Sequence, residues 1–222
     1  STGIPNAVSK FTAEGRDTII LRRKALRIQL LLSVILFLIL FFSASFLANL
    51  LNDEELTNYI RFSSIFLFFA SISSYYIEVL NGMEEFKKSS QVLIIRYISA
   101  AGFAILFLYL GFSIYGVIGG YIIGPMIAII FGYKFSKKNI SGNSIETREI
   151  LDFAYPIIIY AFLYSLLLNL DILFLKALDI SLDYIGYFIA AKTLGTIPIF
   201  VLGALSVTIL PVISRFVSKK QM

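Results

Sequence analysis

Continuous apolar blocks of about twenty residues, each closed by a short polar segment, constrain this chain most. A helix of that length crosses the roughly 30 Å hydrocarbon core of a bilayer, and it satisfies its backbone N–H and C=O groups internally. The other spanning solution, a β-barrel, needs strands that alternate apolar and polar residues, and these blocks do not alternate. Hydrophobic residues make up 58% of the 222, which agrees with this pattern. The expected fold is all-α, a polytopic transmembrane helix bundle.

Six complete spans are expected. They cover about Leu30 to Leu51, Phe62 to Met83, Val92 to Gly111 and Ile114 to Tyr133, with two more in Leu151 to Pro211 on either side of the acidic turn DISLDY. The third and fourth lie so close in sequence that they should form an antiparallel hairpin. Residues 1–27 hold Lys10, Arg16, Arg22, Arg23, Lys24 and Arg27, too many charges for a span. Residues 16–27 read as a cytoplasmic amphipathic helix. GIPNAVSKF reads as the cytoplasmic end of a partial helix whose upper part is missing, so the chain is expected to be an internal piece of a longer protein. The polar segment after the fourth span divides the chain into 1–133, a cytoplasmic linker 134–150, and 151–222.

The formal net charge of +5 follows a membrane rule and does not point to nucleic acid. With residues 1–27 inside, segments 84–96, 134–148 and 215–220 are inside too, and these four hold nearly all the Lys and Arg. The opposite side has Arg61 and Lys176, together with acidic Asp53, Glu54, Glu55, Asp179 and Asp183. Both ends of the chain are therefore expected in the cytoplasm of a multi-pass plasma-membrane protein. Cysteine and histidine are absent, so thiolate or imidazole metal sites and histidine acid–base chemistry are not available here. No catalytic, cofactor-binding or metal-ligating residue is assigned.

Charges inside the spans are the candidate functional groups, because a charge in hydrocarbon needs a partner, a water-filled cavity or a route to the interface. Asp171 and Lys192 each stand about eight residues from the outer turn, hence roughly 10 Å below it on adjacent antiparallel helices. An ion pair is feasible at that depth; the alternatives are a snorkelling Lys192 or two charges facing a hydrated cavity. Tyr160 and Tyr164 share a stripe with Asp171, while Lys192 shares one with Gly195, Thr196, Gly203 and Ser206, on which Phe188 and Ile199 also lie. In the second span Ser64, Ser71, Ser74, Glu78 and Gly82 align, either for helix–helix hydrogen bonding or to line a cavity. Arg96 lies at a depth similar to Glu78 and could pair with it. Gly116, Gly120 and Gly124 form overlapping GxxxG patterns, expected to pack within the bundle or between copies. Pro156, Pro198 and Pro211 interrupt the last two spans.

GIPNAVSKFTAE, VLNGMEEFKKSS, the Gly-rich fourth span, LLNLDILFLKAL and IGYFIAAKTLGTIPIFVLGALSVTILPVISRF carry a family resemblance. Together they resemble the polysaccharide-transport branch of the multidrug/oligosaccharidyl-lipid/polysaccharide exporter superfamily, which includes O-antigen-type flippases. The resemblance implies two pseudo-symmetric lobes around a central cavity, with this chain running from the second helix to the eighth and the 134–150 linker at the lobe junction. It further implies transport of a polyprenyl-diphosphate-linked oligosaccharide by alternating access and no enzymatic activity. Membrane lipids and other glycan-assembly proteins would be partners. Lys192, Arg96 and Arg61 are then the candidates to meet the diphosphate and Tyr160 and Tyr164 to stack on sugars. Asp171 and Glu78 would bind a coupling ion or hold those bases. The competing readings are a cation-coupled multidrug exporter of the same superfamily and a non-transporting membrane scaffold or glycan-assembly component.

Overall fold

In the computed structural model, which describes residues 3–16, 19–137, 146–178 and 180–198, the only regular elements among the described residues are helices. In chain order they are α1 (Ile4–Phe11), α2 (Ile19–Leu50), α3 (Leu56–Gly82), α4 (Phe86–Tyr109), α5 (Ser113–Phe135), α6 (Thr147–Ala177) and α7 (182–198). Five of them, α2 to α6, are long and apolar enough to cross a membrane. The chain is thus an all-α, polytopic bundle. The remainder of the sixth expected span, with Gly203, Ser206 and Pro211, lies outside the described residues, as do Asp179 and segment 215–220. So does the core of the expected linker, residues 138–145.

One expectation is corrected at the start of the chain. The helix expected over 16–27 is not separate from the first span: its described part, from Ile19, forms the first turns of α2, which runs unbroken to Leu50. Neither Gly nor Pro interrupts that stretch, and Leu21, Ala25, Gln29 and Ser33 continue a single buried stripe at four-residue spacing. The break falls earlier, at Gly15, whose φ of 74° places it in the left-handed region that glycine occupies freely. Pro156 does not end its helix either, since α6 continues through it.

The three connections from α2 to α5 share one device. Each helix ends with a residue at positive φ, Asn52 (53°), Glu84 (59°) and Gly111 (87°). The next amide then reaches back five residues: Asp53 N–H donates to the Ala48 carbonyl, Glu85 to Leu80 and Phe112 to Phe107, each at 3.0 Å. This closure satisfies the last carbonyls and reverses the chain within a few residues, which makes successive helices antiparallel neighbours.

The chain divides into two compact units, 1–167 and 168–222. In the first, α3 is the central helix, packed against α1, α2, α4 and α5. Its polar stripe serves helix association. Gln29 Nε2 on α2 donates to Ser71 Oγ at 2.6 Å, and Ser33 Oγ bonds the same hydroxyl, all three side chains being buried. Ser64 turns to its own helix, donating to the Arg61 carbonyl at 2.6 Å. Gly82 admits α1, because a Cβ there would stand 2.5 Å from the Ser9 carbonyl oxygen. The α4–α5 hairpin closes in the same manner: Cβ atoms on Gly116 and Gly124 would meet Phe107 Cβ at 2.8 Å and the Arg96 carbonyl oxygen at 2.5 Å. The GxxxG face is therefore used within the bundle. Phe11 meets Phe153 with ring centroids 5.9 Å apart, and Ile4 and Val8 share a buried cluster with Ile150 and Ala154.

Candidate functional site

The second unit contains the end of α6, a short turn and α7. Leu178 N–H donates to the Phe174 carbonyl at 2.9 Å and Ile180 N–H to Leu175 at 3.2 Å, which ends α6 and reverses the chain. α7 starts from Ser181, whose carbonyl accepts the Ile185 N–H at 3.2 Å. Thr193 and Thr196 hold their hydroxyls on their own helix, donating to the Ile189 and Thr193 carbonyls. The sequence contains no other charge between Lys176 and Met222 at a comparable position inside an apolar run than Lys192.

Lys192 and Asp171 meet across these two helices. Lys192 Nζ lies 2.8 Å from Asp171 Oδ1 and 2.9 Å from Oδ2, and its remaining donor goes to the Leu168 carbonyl oxygen. Asp171 Oδ1 also accepts the Ile172 N–H at 2.9 Å. All three ammonium protons are engaged, so the snorkelling alternative is replaced by a bidentate ion pair closed by a backbone carbonyl. The matching depths read from the sequence are what allow this. Within the chain, the Lys192 and Asp171 side chains remain 28% and 41% exposed, so one side of the pair is open. Asp171 stands on α6, a helix long and apolar enough to cross a membrane, and an open ion pair is costly against acyl chains, so the pair must face water or further protein.

Tyr160 and Tyr164, in the first unit, stack with centroids 5.8 Å apart and planes inclined by 14°, and both are exposed. The spacing of four residues on one helix face produces this pair directly. The remaining candidates are dispersed. Arg96 is half-buried on α4 and its Nη1 donates to Ser74 Oγ on α3 at 3.4 Å; no ion pair joins it to Glu78 among the described residues. Glu78 is half-buried on α3. Arg61 Nη2 donates to Ser45 Oγ on α2 at 3.2 Å, and its guanidinium lies 5.6 Å from the Phe41 ring centre. Each arginine thus ties its own helix to a neighbour through a serine. Sequence reasoning missed Gln29 as a partner for the serine stripe, although its four-residue spacing from Ser33 signalled a polar patch on α2.

Comparison with known proteins gives a match to a family model described as "Polysaccharide biosynthesis protein", over residues 1–217. No curated protein and no solved structure matches.

Proposed function

Because the chain belongs to the polysaccharide biosynthesis protein family, we propose that it serves in a flippase carrying a polyprenyl-diphosphate-linked oligosaccharide from the cytoplasmic to the outer leaflet of the plasma membrane. The observation that supports this most is the open Asp171–Lys192 pair. A lipid-linked diphosphate brings dense negative charge and a hydrated sugar through an apolar layer. It needs a cation in a wet, laterally open cavity, so that the prenyl chain can stay in lipid. In this reading the diphosphate takes Lys192 from Asp171, and a coupling cation or proton replaces it on the carboxylate. Only one positive partner then sits on Asp171 at a time, which links substrate binding to coupling-ion binding. Tyr160 and Tyr164 offer a stacked apolar face to sugar rings. Arg61, Arg96 and Glu78 support the helices or line the route.

The two parts 1–133 and 151–222 belong to opposite lobes in this account, joined by the cytoplasmic linker 134–150, and they rock against each other in alternating access. Both chain ends are cytoplasmic, and other glycan-assembly proteins deliver and accept the substrate. The protein does no bond chemistry of its own.

Expression in a flippase-deficient strain tests the reading. Surface glycan should be restored, and Lys192→Ala should reduce it by roughly tenfold, a loss equivalent to one charge-assisted contact, at near-normal protein abundance. Dye resistance without restored glycan would identify the cation-coupled exporter instead. A collapse in the abundance of Lys192→Ala would assign the pair a purely structural role.

A further inference from the structure

A second cationic site lies within the first unit. A cavity of about 390 Å³ opens where α2 begins and where α3 and α5 end. Arg22, Arg23 and Lys137 line it together with Tyr75, Tyr76 and Tyr133, and among the described residues no carboxylate does. Its three cations come from two distant segments of the sequence.

The walls are held in place by bonds between helices. Arg22 Nη1 donates to the Ser136 carbonyl oxygen at 2.7 Å, which ties the start of α2 to the end of α5. The Tyr75 hydroxyl donates to the Arg22 carbonyl oxygen at 2.7 Å, which ties in α3. The tyrosine rings form a continuous wall, Tyr75 edge-on to Tyr76 at 5.2 Å and Tyr76 to Tyr133 at 6.2 Å. Tyr76 can lie so close to α5 because position 132 is glycine; a Cβ there would stand 2.6 Å from Tyr76 Cβ. Lys137 Nζ rests 4.9 Å from the centre of the Tyr133 ring, a cation–π contact that aims it along the cavity rim.

The position selects the ligand. Arg22 and Arg23 sit in the first turns of one membrane-length helix and Lys137 just beyond the end of another, so the cavity lies at headgroup level. Ile19, on its wall, and the adjoining Ile20 are 46% and 53% exposed, an apolar approach beside a cationic pocket. A free anion would use the cations but not that approach, whereas an amphiphile uses both. The volume is in the range of small-molecule pockets. We propose that this cavity is a binding site for the phosphodiester headgroup of an acidic phospholipid, which bridges α2, α3 and α5. Arg22 and Lys137 meet the phosphate and Arg23 its outer side, while the acyl chains lie along the isoleucines.

The test uses purified protein and short-chain phosphatidylglycerol, with phosphatidylcholine and inorganic phosphate as separate arms. Phosphatidylglycerol should bind saturably and raise the Tm, and neither of the other two should do so at equal concentration. The double variant Arg23→Gln/Lys137→Gln leaves the Arg22–Ser136 bond in place. It should bind phosphatidylglycerol roughly 30-fold more weakly, two basic contacts being lost. The charge-keeping variant Arg23→Lys/Lys137→Arg should bind as the parent does, even if the neutral variant folds poorly. Equal binding of the two phospholipids, a phosphate-induced Tm rise of the same size, or loss of binding in the charge-keeping variant would overturn the proposal.

Discussion

Replacing Asp171 by Asn is expected to impair glycan export more than replacing Lys192 by Ala, and replacing both is expected to be milder than the sum of the two. Asp171→Asn removes the one negative charge beside an ammonium that has no other acid next to it among the described residues, leaving only neutral acceptors, the amide oxygen and the Leu168 carbonyl. A cation so placed inside an apolar run must find water or distort its surroundings. Lys192→Ala leaves a carboxylate that still holds the Ile172 N–H and can take a proton or a cation from solution. The double substitution removes both charges and leaves nothing uncompensated. Groups in one such network typically couple by roughly 2- to 150-fold in an equilibrium or rate. The cycle is read from surface glycan normalised to protein abundance. A fully additive outcome would mean that the 2.8 Å contact carries no energy in the membrane. The exchanged pair, Asp171→Lys with Lys192→Asp, should recover abundance but not export, because the cation then stands on the other helix.

Gly120→Val is expected to destabilise the α4–α5 hairpin by about 1–3 kcal/mol or more, the range for forcing extra atoms into a packed site. Even a Cβ at position 120 would stand 2.6 Å from the Ala100 carbonyl oxygen and 2.7 Å from Ala104 Cα. These obstacles are backbone, so no side-chain rotation relieves them. The helices would have to separate, and the dispersion contacts that hold membrane helices together fall off steeply with distance. Gly102 provides the contrast, since nothing lies within 4 Å of a Cβ there. Gly102→Ala should be neutral or stabilising, by up to about 1 kcal/mol from helix propensity. Thermal unfolding in detergent distinguishes the two substitutions, and equal effects would argue against the close approach of α4 and α5.

Much of the fold was legible because membrane-length apolar blocks leave few choices, and short connections between them force antiparallel neighbours. The bounds of α3 to α6 lie within about six residues of the expected spans. The start of α2 was read apart from the first span because residues 1–27 hold too many charges to lie in hydrocarbon. Charge disfavours burial in hydrocarbon but does not break helical hydrogen bonding; among the described residues the break is at Gly15. Depth made an Asp171–Lys192 pair feasible, since both residues count back from one turn, but did not choose it over a snorkelling Lys192 or two charges facing a cavity. The pairing of Glu78 with Arg96 was not decided by depth, because depth does not fix the direction of a side chain around its helix. Arg96 turns to Ser74. The pocket of Arg22, Tyr75 and Lys137 was hidden for a different reason: its residues are brought together by tertiary packing across more than a hundred positions of sequence.

The most direct measurement follows the substrate itself. The protein is placed in vesicles with a fluorescent polyprenyl-diphosphate oligosaccharide in both leaflets, and a membrane-impermeant glycosidase is added outside. Digestion is expected to proceed past the outer-leaflet half toward completion, with Lys192→Ala vesicles passing half roughly tenfold more slowly and empty vesicles stopping near half. Digestion halting at half in vesicles holding the unaltered protein, or running to completion equally fast with Lys192→Ala, would contradict the account.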